Sequence, residues 1–565
     1  MTSGQDDTRT EQVGRFVLPS ARRPPRAIST ASTLVPGLGA DIGWVLMNAR
    51  EHAVVPVLRT AAGFARAGAS PVHRAQVGRW ESGETAPSYE LVRRYEEVLG
   101  LPEGQLLRAI DFLGRERQTV SAVPVLPAPA SDSWLDDTDA LLDRALLGGP
   151  MSGTDWDAVS AMLGTHPDTL LRRADWAALL LRCSKESGVH VGLEFAHRHE
   201  ALIRLAGHPR SGEVVVDLAR EVLNDPSSQI FGGAVDLLQH THEPVGIPLL
   251  LTQLEDPPAE APLWTSLYTL TTLVQAGRVT PSDRVRAGRG ALELLRQDQP
   301  IRVQRAAADL LRAVDPPTRL RIVSALRADA RLRIATILAE GGARIDSEAA
   351  VLAGRIAERL NDVLGPHSRW APQLQMLVAR ATTLTHDEAR GNALAVLMLS
   401  PQGVVVGEAY AAELVRALES GQHVLADDAL SVLSWLAQPG DIPALLRIVV
   451  DPATPPVPSM QAAIAVGNCR PDAVVSRWRS EPDRRVVPTR DEVARRVRSS
   501  ALAQILAPGP DPRSTARGHC YILGMYGRRD ILLEVAAASH DYAAIEWCRA
   551  ARWWLDLPTW AQPAP

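Results

Sequence analysis

Helix-length segments with small residues near their start and paired leucines near their end recur along most of the chain. Three of them read HRHEALIRLAGH (197–208), SQIFGGAVDLLQH (228–240) and IRVQRAAADLLRAV (301–314). A second apolar helix follows each, and equivalent leucines lie roughly 30–40 residues apart. A two-helix unit of this length cannot bury its apolar face alone, so neighbouring units must stack. The pattern therefore predicts an all-α chain built largely from helix pairs.

In period and pattern, these segments resemble HEAT-type repeats over residues 140–556. The signature of tetratricopeptide repeats is missing, and an irregular helical domain is the alternative interpretation. Because repeat arrays present an extended concave surface, the resemblance implies that this region senses or docks a protein or peptide partner.

Composition excludes several other classes of protein. A hydrophobic content of 46% with 22% charged residues is typical of soluble globular chains. The four cysteines are far apart, so we expect reduced thiols. No segment has the pattern of a signal peptide or a membrane span, which predicts a cytoplasmic protein without membrane association. Lys185 is the single lysine, a skew towards arginine that indicates a GC-rich genome of the actinobacterial type.

Breaks and composition shifts divide the chain into five regions. These are a flexible arm (1–40), a domain of short helices (41–118), a Pro/Ala-rich linker (119–139), the helical-repeat domain (140–556) and a tail (557–565).

One short stretch in the second region, SPVHRAQVGRWESGETAPS (70–88), has clear helix start and stop signals. Ser70 is a favourable N-cap, Pro71 suits the first helical position, and Gly83 suits the position after the last turn. The stretch therefore predicts a helix over residues 71–82, with Ser88 as the cap of the next helix.

The two faces of this helix differ in character. At about 100° per residue, Val77 and Trp80 share one side, which we expect to be buried. The opposite side carries Arg74, Ala75, Gly78 and Arg79. Arginine pairs with guanine O6 and N7 in the major groove, and alanine contacts the thymine methyl group. Glycine in mid-helix permits close approach of another surface, so the outward face is a candidate DNA-reading surface.

Residues 41–113, and above all VHRAQVGRWESGETAPSYELVRRYEEVLGLP (72–102), resemble the phage-repressor-like (XRE, Cro-type) helix-turn-helix family. The resemblance implies a domain that binds double-stranded DNA, usually as a homodimer on two half-sites. It places base-reading positions at Arg74, Ala75 and Arg79. It places phosphate-positioning residues at His73, Gln76, Thr85, Ser88 and Tyr89.

Charge predicts that non-specific DNA affinity is weak. Residues 40–118 contain ten arginines and ten acidic residues, whereas the arm contains five arginines and three acidic residues. Because the whole chain has a net charge of −5, the part after residue 118 is acidic. DNA contacts should therefore be confined to the candidate recognition helix and the arm.

Motifs for enzymatic chemistry are missing from the sequence. A P-loop requires Gly-Lys-Ser/Thr, but the single lysine, Lys185, follows a serine, so no P-loop is present in the sequence. Neither G-x-S-x-G nor H-E-x-x-H occurs. We therefore expect no enzymatic activity and no cofactor. Two His-x-His pairs lie in neighbouring repeats: His197 with His199, and His240 with His242. Residues two apart on a helix point in nearly opposite directions, so we favour ordinary histidines over a metal site.

The leading hypothesis is a sequence-specific DNA-binding transcriptional regulator. Two alternatives stay open at this stage. One is a protein-binding scaffold whose helix-turn-helix does not read DNA. The other is an enzyme related to HEAT-like DNA glycosylases, which the acidic balance of the repeats disfavours because such an enzyme needs a basic groove.

Overall fold

In the part of the chain that the computed structural model describes, all regular structure is helical, as the repeated apolar pattern predicts, and no strand occurs. The described residues are 37–68, 71–117, 124–126, 134–166, 168–225, 228–229, 233–257, 260–297, 299–364, 371–383, 388–469, 487–509, 511–538 and 544–563. Residues 1–36 of the predicted arm and most of the predicted linker lie outside these ranges.

The N-terminal helices form a small domain around one apolar centre. They are α1 (Leu38–Glu51), α2 (Ala61–Arg66), α3 (Arg74–Glu81), α4 (Tyr89–Leu99) and α5 (Gln105–Arg117), with a 3-10 turn at Pro56–Arg59. Ile42, Phe64, Val77, Tyr95 and Ile110 are completely buried between them. These residues come from five different helices, so burial of one shared core holds the domain together.

Local capping sets where α4 and α5 begin and end. The Ser88 hydroxyl accepts a hydrogen bond from the N–H of Leu91, as the sequence predicts, and Gly100 ends α4 in the left-handed conformation at φ 62°. The buried Glu96 carboxylate then accepts N–H groups of Gly104 and Leu106 at 2.9 and 2.8 Å. Glu96 thereby satisfies backbone donors at the start of α5 and fixes α5 against α4.

The remaining helices extend from residue 134 to residue 555. They are α6 (Trp134–Leu146), α7 (Gly153–Thr165), α8 (Arg173–Val189), α9 (Gly192–Gly207), α10 (Gly212–Asn224), α11 (Gly233–Asp236), α12 (Ile247–Glu255), α13 (Glu260–Gln275), α14 (Pro281–Arg296), α15 (Ile301–Ala313), α16 (Pro316–Ser324), α17 (Ala328–Leu364), α18 (Ala371–Thr383), α19 (Glu388–Leu399), α20 (Gly403–Glu419), α21 (His423–Leu436), α22 (Ile442–Val450), α23 (Pro456–Asn468), α24 (Arg490–Leu506), α25 (Pro512–Met525), α26 (Arg529–Ala537) and α27 (Ile545–Leu555). Further 3-10 turns lie at Leu237–Gln239, Pro439–Asp441 and Thr559–Ala561.

These helices pack in two layers over much of their length. Helices α21, α23, α25 and α27 contact one another in succession, and so do α22, α24 and α26 on the other layer. The same alternation relates α12, α14 and α16 to α13, α15 and α17. Each helix therefore packs against its sequence neighbour and against the next helix but one, which is the packing that stacked helix pairs require.

The C-terminal end of the array contacts its beginning. The Thr559–Ala561 turn packs on α8, where the Arg182 guanidinium lies 5.2 Å from the centre of the Trp560 ring. Further along, Arg517 of α25 donates to the carbonyl of Ser228, which follows α10, at 2.7 Å. Helices near the start of this region are thus joined directly to segments near its end.

Among the helices described, no single one is both long and apolar enough to cross a bilayer, and the pair Ala389–Leu399 and Gly403–Glu419, bent by 115°, meets the length and composition criteria only when the two are taken together.

Candidate nucleic-acid interface

Helix α3 begins later than its sequence predicts. It spans Arg74–Glu81, and His73 rather than Ser70 is the N-cap. The His73 Nδ1 accepts the N–H of Ala75, and the Gln76 side-chain oxygen accepts the N–H of His73, each at 3.2 Å. This reciprocal capping box satisfies backbone N–H groups at the start of the helix. The helix therefore begins after His73 and not at Pro71. Ser70 lies outside the described residues.

A backbone hydrogen bond between Val72 and α2 explains the later start of the helix. The N–H of Val72 donates to the carbonyl of Ala65, at the end of α2, at 2.8 Å. Val72 is held against α2 by this bond, and α3 starts only at Arg74.

The outward face of α3 is open to solvent. Val77 is completely buried, Trp80 is half-buried, and Arg74 and Arg79 are exposed on the other side. All the predicted contact residues except one are exposed: His73, Arg74, Ala75, Gln76, Gly78, Arg79, Thr85 and Ser88, whereas Tyr89 is half-buried. Thr85 donates its N–H to the carbonyl of Arg79 at 3.1 Å, which holds the following turn against the end of α3.

A buried ion pair fixes the C-terminal end of α3, and sequence reasoning missed it. Arg50 of α1 donates to both carboxylate oxygens of Glu81, at 2.6 and 2.8 Å, and the Tyr95 hydroxyl donates to the same carboxylate at 3.0 Å. Burial and the neighbouring Glu81 raise the pKa of Tyr95, so the phenol stays protonated. The sequence signal was the position of Glu81, one turn after the buried Val77 and on the same face.

Gly83 permits α1 to lie against the end of α3. Its φ is +72°, and a Cβ at this position would lie 2.6 Å from the carbonyl oxygen of Gly39. Only glycine combines this backbone conformation with such close packing. The orientation of α3 relative to α1 therefore depends on Gly83 as well as on the Arg50–Glu81 pair.

Replacement of Gly78 by alanine should have opposite effects on stability and on DNA binding. A Cβ added to Gly78 meets nothing within 4 Å. Gly78→Ala should therefore stabilise α3 by about 1 kcal/mol, since alanine is the better helix former. If DNA packs closely on this face, the same methyl group weakens DNA binding. We expect a raised melting temperature together with reduced affinity, measured by thermal unfolding and by equilibrium binding to duplex DNA.

The matched control for that variant is Gly354→Ala. Gly354 is an exposed glycine in α17 whose added Cβ also meets nothing within 4 Å. This variant should gain stability without a change in DNA affinity. Unchanged DNA affinity in Gly78→Ala would contradict close packing of DNA on α3.

The opposite side of the small domain is docked on the later helices through α5 and α1. Arg115 of α5 donates to both carboxylate oxygens of Glu200 on α9, and these side chains are 3% and 0% exposed. Gln105 donates to the carbonyl of Leu399 at 3.0 Å, and Asn48 of α1 exchanges hydrogen bonds with Gln402. The contacts just named lie on α1 and α5, and the outward face of α3 stays exposed.

Charges at this docking contact are strongly paired. Arg108 of α5 donates to Asp157 of α7 at 2.6 Å, and Arg204 of α9 forms an ion pair with the same carboxylate. Burial opposes ionisation of Asp157, but Arg108, Arg204 and His197 outweigh it and lower its pKa to about 2. The pair therefore stays ionised over the whole neutral and mildly acidic range.

His199 should make this contact sensitive to acid. It stacks between Phe112 of α5 and Phe195 of α9, with ring centres 5.8 and 5.4 Å away, and burial together with Arg115 lowers its pKa to about 3. In the unfolded chain a histidine takes up its proton near pH 6.5. The free energy of unfolding should therefore fall by about 1 kcal/mol per pH unit as the pH drops from about 6.5 towards 3.

His199→Phe removes that proton site and keeps an aromatic ring. Urea unfolding of both proteins between neutral and mildly acidic pH measures the difference. The wild-type protein should lose stability relative to the variant on acidification, whereas parallel pH profiles would contradict the assignment.

The other histidines of the two His-x-His pairs do not converge on one point. His197 Nε2 lies 3.1 Å from the carbonyl oxygen of Glu103, His240 is buried and His242 is exposed. Within the described part of the chain, no group of three His, Cys, Asp or Glu side chains is placed to hold a metal ion.

An all-helical domain with a short solvent-facing helix, capped and fixed from behind, is the architecture of helix-turn-helix DNA-binding proteins. Residues 64–106 match the helix-turn-helix family model, the XRE type, and this range contains α3, α4 and the end of α2. The match indicates a DNA-binding transcription regulator. No curated protein and no solved structure gives a significant match to the chain.

Proposed function

We propose that this protein is a sequence-specific transcriptional regulator that inserts α3 into the major groove of double-stranded DNA. The observation that carries the proposal is the exposed face of α3, which lies within the matched range 64–106 and away from the docked helices α1 and α5. Arg74 and Arg79 would donate to guanine edges, and Ala75 would contact a thymine methyl group. Gly78 would let the backbone approach the bases.

Phosphate contacts would position the domain around these base contacts. His73 and Gln76 lie at the start of α3, and Thr85 and Ser88 lie in the turn before α4, where exposed side chains and helix N-termini suit phosphate oxygens. Tyr89 is half-buried and has Asp157 among its electrostatic neighbours, so its contribution would be the smallest of this group.

Balanced charge in the domain predicts how binding depends on salt. Ten arginines against ten acidic residues between residues 40 and 118 provide little attraction for phosphate in general. Specific binding would then rest on a few local contacts, and the slope of log K against log salt would be shallow for a DNA-binding protein.

Two further parts of the proposal concern assembly. The chain would bind as a homodimer on two half-sites, the arrangement usual for this type of domain. The repeat domain would sense or dock a protein or peptide partner, because stacked helix pairs provide an extended surface. Sedimentation of the full chain with and without DNA tests the dimer, and a monomer in both cases would overturn it.

Selection of bound sequences from a random duplex library tests the central proposal. The full chain should enrich a short motif that contains guanines within reach of two arginines. Recovery of sequences with the composition of the starting library would show that the protein does not read DNA sequence.

A further inference from the structure

One short stretch among the later helices is strongly basic, although the chain after residue 118 is acidic as a whole. Residues 316–338 contain a single acidic residue, Asp329, and five arginines: Arg319, Arg321, Arg327, Arg331 and Arg333. They lie on α16, on the turn that follows it and on the first turns of α17. The hairpin of these two helices therefore carries a local excess of positive charge.

Carboxylates do not neutralise this charge. Arg319 is half-buried, and the other four arginines of the stretch are exposed. In the part of the chain that the structure describes, none of the five is paired with an acidic side chain. Several other exposed arginines among the later helices are paired, as Arg286 is with Glu255 at 2.7 Å. The positive charge of the hairpin is therefore available to a partner.

Two of the arginines hold the hairpin in shape through carbonyl groups. Arg331 of α17 donates to the carbonyls of Ser324 and Leu326 at the end of α16, each at 3.0 Å. Arg319 donates to the carbonyl of Arg312, in the last turn of α15, at 2.8 Å. A carbonyl group is neutral, so these bonds fix the arrangement without removing the positive charge. A surface that is already ordered loses less entropy when it binds a partner.

Exposed leucine side chains lie among these charges. Leu320 of α16 is 70% exposed and Leu332 of α17 is 71% exposed, and each is next in sequence to an exposed arginine. A phosphate group gains nothing from a leucine side chain, whereas a protein partner can remove it from water. The combination of arginine and leucine therefore favours a protein segment over nucleic acid.

We propose that the α16–α17 surface, formed by these five arginines with Leu320 and Leu332, docks an acidic amphipathic segment of a partner protein. Asp and Glu side chains of that segment pair with the arginines, whose planar guanidinium groups suit carboxylates. Its apolar side chains cover the two leucines. The docking rests on the partner-binding role proposed above for this region, but it does not require that α3 reads DNA.

Selection from a random phage-displayed peptide library, with the full chain as the target, tests the chemistry of the partner. Enriched peptides should contain several Asp or Glu residues together with Leu, Ile, Met or Phe. The consensus peptide should bind more weakly as salt is raised, since salt screens exposed charges. Absence of enrichment, or enriched peptides without acidic residues, would overturn the proposal.

Fluorescence anisotropy of the labelled consensus peptide assigns binding to this surface. Arg321→Ala/Arg333→Ala removes two exposed side chains and should weaken peptide binding about tenfold. The matched control is Arg495→Ala/Arg496→Ala, which removes two exposed arginines of α24 and should bind the peptide normally. Equal peptide affinities in the two double variants would refute the surface.

A random-sequence DNA duplex is the second probe. If Arg321→Ala/Arg333→Ala weakened duplex binding and the duplex displaced the peptide, the surface would hold phosphate and the proposal would be wrong. The Arg74→Ala/Arg79→Ala variant should bind the peptide normally. Peptide binding without recognition of any DNA sequence would refute the proposed regulator and leave this surface intact, whereas DNA recognition without peptide binding would refute the surface alone.

Discussion

Replacement of both Arg74 and Arg79 by alanine should abolish recognition of the selected DNA motif while leaving the fold intact. Each bidentate arginine–guanine contact contributes about 1–3 kcal/mol of discrimination, so the double variant should lose roughly two orders of magnitude or more in specific affinity. Both side chains are exposed, so their truncation should leave the described core of the domain unchanged. Fluorescence anisotropy with the selected duplex and with a scrambled duplex measures the effect.

Arg289→Ala is the matched control for this double variant. It removes one exposed positive charge from α14 in the repeat domain and should leave specific affinity unchanged. A double variant that keeps the preference for the selected duplex over the scrambled one would show that α3 does not read the sequence.

Arg115→Ala should strongly destabilise the docking contact. Glu200 is 0% exposed and would lose its bidentate partner, and removal of one member of a buried pair costs about 3–5 kcal/mol. Arg204, 4.0 Å from the Glu200 carboxylate, would offset part of the loss, so we expect about 3 kcal/mol. Urea unfolding and the rate of proteolytic cleavage between α5 and α6 measure it.

A second variant, Glu200→Gln in the Arg115→Ala background, tests whether the unpaired buried carboxylate causes the loss of stability. Neutralising the stranded carboxylate should recover part of the lost stability, because the buried charge is then removed. If the unfolding free energy of Arg115→Ala stayed within about 0.5 kcal/mol of the wild-type value, that result would contradict a tightly docked DNA-binding domain.

Sequence periodicity predicted the faces of α3 but not its start. At about 100° per residue, Arg79 lies roughly 160° from Val77, so the period places Val77 inside and Arg79 outside, and the observed burial confirms this. Arg74 lies only about 60° from Val77, and its exposure follows from its position as the first residue of the helix. Ser70 and Pro71 are good start signals, yet the helix begins at Arg74. The cap of His73 with Gln76 and the bond from Val72 to Ala65 decide the boundary, and histidine is not a residue that sequence rules favour as a cap.

Contacts between distant parts of the chain were beyond sequence reasoning. Arg115 and Glu200 are 85 residues apart, and Asn48 and Gln402 are 354 residues apart. No local pattern records such pairs, because each residue alone looks like an ordinary surface charge or amide. The helical period shows which face of a helix is apolar, and this was enough to predict all-α packing. It does not show which neighbouring helix covers that face, so it could not predict the docking contacts.

The ion pair between Arg50 and Glu81 behind α3 was partly predictable from the sequence. Glu81 follows Val77 by four residues and therefore had to share its buried face, a signal that a charged partner was required. Arg50 was one of several arginines that could supply that partner, and only the packing of α1 against α3 selects it.

Genome-wide occupancy of the intact protein, compared with that of the Arg74→Ala/Arg79→Ala variant, tests the central claim most directly. A transcriptional regulator that reads DNA through α3 predicts sharp binding sites with a shared short motif, lost in the variant. Absence of such sites, or sites that the variant retains, would contradict it and would place the function in the helical repeats instead.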